Sequence, residues 1–210
     1  NLGRKMVAGI LNEMSPDDRT ALLEELPGKL LNNILALLSK EEREIARTLL
    51  GYPENSVGRL MTPDCIAVRE NLTVSQVLSY IRKKGHDSET LNIIYIIDSR
   101  GCLRAEIKIR QLLLAHPRKK VKEIMDGKLV SLSAFDDQEK AIFQFKKYDV
   151  YALPVIDSDG ILLGIVTVDD VLDVVEEENT EDFHKMGGMV ALEDPYLREP
   201  LLRLTRKRAG

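Results

Sequence analysis

The chain has 210 residues, 44% of them hydrophobic and 30% charged, with a formal net charge of −4. That length suits one large or two to three small folded domains, and the charge balance argues for a soluble protein and against nucleic acid as a partner. Apolar runs such as Ile93-Ile94-Tyr95-Ile96-Ile97 fall far short of the ~20 residues a membrane-spanning helix needs, and no signal-peptide pattern opens the sequence. Cys65 and Cys102 lie far apart without metal-ligand spacing, which fits buried thiols in a reducing compartment.

The first fifty residues read as helices. In MSPDDRTALLEELP, Ser15 stands as N-cap, Pro16 at the first helical position, Asp17 and Asp18 in the first turn, and Leu22, Leu23 and Leu26 form the apolar stripe that Pro27 ends. A second helix is expected over Gly28–Leu38, with Leu30, Leu31, Ile34, Leu35 and Leu38 at helical spacing. A third opens on the capping box Ser39-Lys40-Glu41-Glu42 and stops at Gly51.

From Met61 onward, β-branched runs alternate with helices, and the chain repeats itself. Tyr95–Leu113 (YIIDSRGCLRAEIKIRQLL) lies over Pro154–Leu172 (PVIDSDGILLGIVTVDDVL), each a strand, an Asp-Ser-x-Gly turn, a strand and a helix. Upstream helices are expected over Thr73–Lys84 and Asp136–Lys147, each preceded by a short strand after Met61 or Met125. The basic run Arg118-Lys119-Lys120 with Lys122 reads as a solvated loop.

The stretch Thr167–Asp182 (TVDDVLDVVEEENTED) places eight carboxylates in sixteen residues with no Lys or Arg. Val168, Val171, Leu172 and Val175 recur at helical spacing and predict a core face. Asp170, Asp173, Glu177 and Glu181 share another face, which is either left in water or neutralised by a cation. Two carboxylates about 5 Å apart repel by roughly 3 kcal/mol at an effective dielectric near 20, so packing this face on another acidic surface is prohibitive without a counter-ion. All-oxygen donors without Cys favour a hard divalent ion, and scattered carboxylates around a hydrated ion suit Mg²⁺ better than Ca²⁺. Nothing points to catalysis: His86, His116 and His184 have no nucleophile or metal partner at a recognisable spacing, and neither a P-loop nor G-x-S-x-G occurs.

The tandem β-α-β-β-α unit resembles a CBS-domain pair, the Bateman module. Together with MSPDDRTALLEELP, YPENSVGRLMTP and EDPYLREPLLRLTRKRAG around it, the chain resembles the cytosolic part of the MgtE family of magnesium channels. The resemblance implies an α+β architecture: part of a short-helix, superhelical N domain (1–56), CBS domain 1 (57–121), CBS domain 2 (122–178) and a C-terminal connecting, or plug, helix (179–210) that leads to a membrane pore. It further implies a homodimer through the CBS domains at the cytoplasmic face of the membrane, with Mg²⁺ bridging acidic faces and favouring the closed state. The acidic positions it carries over are Asp17, Asp137, Asp149, Asp170, Asp173, Glu178, Glu181 and Asp182. Asp17 and Asp137 also stand at helix starts, where acids complement the macrodipole. CBS pairs that bind adenine nucleotides use G-x-x-T-x-x-D, present here as Gly164, Thr167 and Asp170; the first copy has Ala105, Lys108 and Gln111. A nucleotide-sensing module acting on another protein is therefore the alternative function, while Thr167 can equally serve as a plain cap of the helix it precedes. The tail Pro195–Arg208 reads either as that connecting helix or as an amphipathic helix on a membrane surface.

Overall fold

In the computed structural model the described backbone covers residues 2–186 except 126 and 128, and side chains are described from residue 5 to 176, with the same two exceptions, and at Thr180. Four helices come first: α1 (Leu2–Glu13), α2 (Pro16–Glu24), α3 (Gly28–Leu35) and α4 (Lys40–Leu49). They close over a small core of Leu11, Leu23, Leu35, Leu38 and Ala46. Pro16 occupies the first helical position of α2 as expected, but Ser15 makes no side-chain cap bond. The expected apolar stripes prove too wide. Leu22 and Leu30 face water, because helices of two to three turns in one thin layer have a neighbour on one side only. α2 ends at Glu24 and α3 at Leu35, each earlier than the apolar spacing suggests.

The wholly buried Arg19 ties this layer together. Its Nη1 donates to Leu11 O (3.0 Å) and Met14 O (3.2 Å), and its Nη2 pairs with Glu42. The predicted capping box at the start of α4 is therefore only half built. Ser39 Oγ accepts from Glu42 N–H (3.1 Å), but the Glu42 carboxylate goes to Arg19 and Ser39 N–H turns to Asn12 Oδ1 (2.8 Å). A buried guanidinium needs a counter-charge more than a helix end in water needs its second cap.

The link to the repeats is a docked segment. The single turn α5 (Val57–Leu60) runs beside the second repeat, where Val57 N–H donates to Asp136 O and Gly58 N–H to Ala134 O, both 2.8 Å. Leu49, Val57 and Met61 are buried with Leu132, Phe145 and Val166 in one core, so the helical layer is rooted in the second repeat.

The first repeat contains β1 (Ala67–Arg69), α6 (Val74–Lys84), β2 (Ile93–Ile97), β3 (Leu103–Lys108) and α7 (Ile109–Leu114). The second contains β4 (Leu132–Ser133), α8 (Gln138–Tyr148), β5 (Ala152–Ile156), β6 (Leu162–Thr167) and α9 (Val168–Met186). Each forms a three-stranded sheet, ordered β1-β2-β3 and β4-β5-β6, with one parallel and one antiparallel pairing. The registers match: Ile93 opposite Lys108 in one sheet corresponds to Ala152 opposite Thr167 in the other. In the predicted turns, Asp98 Oδ1 accepts from Arg100 and Cys102 N–H, and Asp157 Oδ1 from Asp159 and Ile161 N–H. Gly101 and Gly160 supply the positive φ (+90° and +79°) that closes them. The two turns then bond to each other through Leu103 N–H to Gly160 O (2.9 Å) and Leu162 N–H to Gly101 O (3.1 Å). Behind them Ile93, Tyr95, Leu103, Ala152 and Ile165 form a core between the sheets. The architecture is α+β, and the basic residues Arg118, Lys119 and Lys120 are exposed as expected.

One expectation is corrected in α9. Val171 and Val174 are the buried residues, whereas Val168 is exposed and Leu172 is 57% exposed. The core face is rotated from the one the spacing suggests, because the start of α9 is fixed by β6 and its flank by α8. The expected junction at 178/179 falls within α9, and residues 187–210 of the expected connecting helix (179–210) lie outside the described residues.

Candidate functional site

The first turn of α2 and the first turns of α9 face each other. Asp17, Asp18 and Glu24 on one side and Asp170 and Asp173 on the other line a cleft of about 160 Å³, with Arg59 of α5 also at its wall. Asp17, 7% exposed, accepts from Asp18 N–H at 2.9 Å. Asp170 Oδ2 accepts from Thr167 N–H (2.9 Å) and Thr167 Oγ1–H (2.5 Å), which holds it at the start of α9. Burial first, and then the negative charges of Asp17 and Asp169, push the Asp170 carboxyl up to about 7 against the pull of the Thr167 hydrogen bonds. Ionising it in the cleft is therefore costly unless a cation accompanies the charge.

Of the sequence-predicted acids, Asp17, Asp170 and Asp173 meet in this cleft. Asp137 and Asp149 stand at the two ends of α8 instead. Asp137 is its N-cap, accepting from Glu139 N–H at 2.8 Å. Asp149 is its C-cap in the left-handed region (φ +50°), its N–H donating to Phe145 O at 3.0 Å. Both positions have a backbone reason of their own. The side chains of Glu178, Glu181 and Asp182, like that of Glu177, lie outside the described residues. Among the described residues no three His, Cys, Asp or Glu side chains stand close enough to cage a metal ion. The acids that line the cleft offer only oxygen donors, the chemistry that hard divalent ions take.

A second acidic cleft escaped the sequence reading. Glu13 and Glu42 of the helical layer face Asp64, Asp87 and Glu89 of the first repeat, with His86, around a cavity of about 340 Å³. Burial, and then the neighbouring acids, raise the Asp64 and Glu89 carboxyls. Glu13, Glu42 and Asp64 stand singly and only His86, Asp87 and Glu89 are near one another, over 77 positions of sequence, so no local pattern gathers them.

The Gly164, Thr167 and Asp170 motif serves the fold first. A Cβ on Gly164 would lie 2.4 Å from Thr62 O, whose strand segment pairs with Ile165 through hydrogen bonds of 2.8 and 2.9 Å. In the first repeat, Gln111 Oε1 accepts from Lys108 N–H at 2.9 Å, the counterpart of Asp170 and Thr167. In both copies the side chain three residues into the last helix thus accepts from the backbone N–H that precedes it, whether or not the pair carries a hydroxyl and a carboxylate. Cys65, half-buried beside Asp64, and the buried Cys102 are free thiols, and burial pushes Cys65 up to about 12. At that value Cys65 is not a nucleophile at neutral pH.

A helical layer docked on paired three-stranded repeats is the architecture of a CBS pair with an N-terminal helical domain. The family description "MgtE intracellular N domain" matches residues 1–55, and "CBS domain" matches residues 57–114 and 121–177. The chain belongs to the MgtE family, as an intracellular N domain followed by a tandem CBS pair. Magnesium transporter MgtE of Thermus thermophilus is 45% identical over 153 residues, 73% of this chain and 34% of that protein. The Bacillus subtilis protein of the same name is 32% identical over 187 residues, 89% of this chain and 42% of that protein. The chain thus spans well under half the length of these relatives. Among solved structures, the cytosolic domain of the Mg²⁺ channel MgtE in complex with ATP superposes with a TM-score of 0.78 at 40% identity, covering 80% of this chain and 69% of that one. The soluble part of a magnesium transporter superposes with a TM-score of 0.80 at 32% identity, covering 83% and 68%. Among the described residues no helix is long and apolar enough to cross a membrane.

Proposed function

We propose that this chain is the cytosolic Mg²⁺-sensing regulatory region of a magnesium channel or transporter, in which Mg²⁺ bridges acidic faces of the N domain and the CBS pair and favours the closed state of an attached pore. One observation carries the reading: Asp170 and Asp173 at the start of α9 line one cleft with Asp17 and Asp18 at the start of α2. Like charges so placed oppose docking by roughly 3 kcal/mol per close pair before screening, and a divalent ion reverses the sign. The names of the relatives, magnesium transporters, support the choice of ion. Asp17, Asp170 and Asp173 would hold the ion in the cleft, and Glu178, Glu181 and Asp182 further along α9 would extend the acidic surface toward the connecting segment. Asp137 and Asp149 are proposed with them on the resemblance alone. Closing a gate from 1:99 to 99:1 takes about 5.5 kcal/mol of differential binding, whereas a weak site near its dissociation constant contributes about 1 kcal/mol, so several ions must act together. Two acidic clefts rather than one suit that demand.

The chain would act as a homodimer joined through its CBS domains, at the cytoplasmic face of the membrane. Phe143, Tyr148, Tyr151 and Leu172, exposed on and beside α8 and α9, give that contact apolar surface. A second reading, adenine-nucleotide sensing through Gly164, Thr167 and Asp170, is favoured by the ATP complex of the similar cytosolic domain. It requires the Thr167–Asp170 hydrogen bonds to be exchanged for bonds to the nucleotide.

Small-angle scattering across a Mg²⁺ titration, with Na⁺ matched for ionic strength, tests the proposal. The radius of gyration should fall cooperatively with Mg²⁺ and not with Na⁺, and Asp173→Asn combined with Glu181→Gln should weaken the response. An unchanged radius, or the same change with Na⁺, refutes Mg²⁺ sensing; ATP binding with no Mg²⁺ response would favour the second reading.

A further inference from the structure

The segment from Ser99 to Lys122 carries eight Lys or Arg and a single acid, Glu106, in a chain whose net charge is −4. Its densest part, His116–Lys122, is fastened across the start of α6. Ser75 N–H donates to Pro117 O (3.0 Å), Val74 N–H to Lys119 O (2.9 Å) and Lys122 N–H to Glu70 O (3.2 Å). Arg118, Lys119, Lys120 and Lys122 are exposed there and, among the described residues, form no ion pair. The next acid in sequence, Glu123, is turned to the backbone, its Oε1 accepting from Lys120 N–H at 3.2 Å. Just before this run α7 ends on Leu113 and Leu114, 65% and 76% exposed, while Leu112 is buried in the core of the first repeat. The patch therefore joins two bare leucines to four cations without partners. It lies at the opposite end of α6 from Asp87 and the second acidic cleft, a helix length of roughly 16 Å away.

We infer that this patch is a membrane-surface contact, in which Leu113 and Leu114 enter the bilayer interface while Arg118, Lys119, Lys120 and Lys122 meet anionic lipid headgroups. Exposed leucines seek an apolar medium and unpaired cations seek negative charge, and a charged bilayer meets both needs at one surface. Each basic side chain close to such a surface strengthens binding about fivefold, and the attraction fades within a Debye length, so the fixed position of the run beside the leucines matters. Neither signal alone anchors a protein firmly, whereas the two together do. Contact there leaves the second acidic cleft clear, because that cleft opens at the other end of α6. The inference rests on the Mg²⁺-sensing proposal only for placing the chain beside a membrane.

Co-sedimentation of the 210-residue chain with lipid vesicles, in chelator at ~0.15 M salt, tests it. The vesicles are phosphatidylcholine alone or phosphatidylcholine mixed with phosphatidylserine. The native chain, although net negative, should bind the phosphatidylserine vesicles and not the neutral ones. Lys119→Gln with Lys120→Gln should lower the partition coefficient roughly thirtyfold, and Leu113→Ser with Leu114→Ser roughly tenfold at unchanged charge. Lys146→Gln with Lys147→Gln, the same loss of charge at exposed positions of α8, should leave it unaltered. Absence of binding to the anionic vesicles overturns the inference. So does an equal loss in the α8 variant, which is attraction by overall charge, and so does binding that every variant retains, which belongs to another surface. Leucine variants that bind vesicles like the native chain but turn monomeric in sedimentation velocity also overturn it, by assigning Leu113 and Leu114 to a second copy. Vesicle binding without a Mg²⁺ response in scattering would sink the sensing proposal and keep the patch, and a Mg²⁺ response without vesicle binding would do the reverse.

Discussion

At Asp170 one carboxylate both closes the start of α9 and faces the N domain, and its proton affinity records the conflict. An unfolded Asp titrates near ~3.9, whereas burial lifts this one to about 7 in the fold. Between these values the folded chain keeps a proton that the unfolded chain has lost, so stability falls as pH rises through the window and the full penalty applies above it. Asp170→Asn, which preserves an acceptor for Thr167, should flatten that slope and raise metal-free stability near pH 8 by on the order of 1–2 kcal/mol, measured by denaturant unfolding at pH 5 and pH 8. A Mg²⁺ ion bound there must displace the proton, so its apparent affinity should be weaker at pH 6 than at pH 8 by calorimetric titration. Arg19 poses the opposite case, a buried charge whose partner is present. Glu42→Gln leaves the guanidinium without a counter-charge and should cost about 1–3 kcal/mol of thermal stability. The motif MSPDDRTALL does not announce Arg19 as core; only the carbonyls of Leu11 and Met14 and the Glu42 carboxylate, brought together by three helices, make that burial tolerable.

The repeated elements show how far local pattern reaches. Strand, Asp-turn, strand and helix follow one another twice because alternation, turn chemistry and caps are encoded within short windows. Gly164 shows where this stops. Its small size is demanded by Thr62, about a hundred residues earlier in sequence, so Gly164→Ala should push the β6–Thr62 pairing apart and lower stability by about 1–3 kcal/mol, seen as a reduced melting temperature. The rotated face of α9 has the same origin. Helical spacing permits several faces, and packing against α8 chooses Val171 and Val174, leaving Leu172 outward. If that outward face joins two copies, Leu172→Glu should shift the chain toward monomer in sedimentation velocity without altering its far-ultraviolet circular dichroism.

Across the whole molecule, the acidic clefts lie between units more than within them. Asp17→Asn with Asp173→Asn removes charge from both walls of the cleft. The pair should make the metal-free chain more compact by scattering and blunt its response to Mg²⁺, whereas a solvated acidic face predicts no change in either. The composition, the helical layer, the paired repeats and the acid-rich α9 were all legible in the sequence, because each depends on residues a few positions apart. That α9 turns Asp170 and Asp173 toward α2, that Asp137 and Asp149 sit at the ends of α8, and that a second acidic cleft opens at Asp64 and Glu89 were decided by the tertiary structure. The physical reason is that charge acts through space, and the distances that set its energy exist only once the N domain is packed onto the CBS pair.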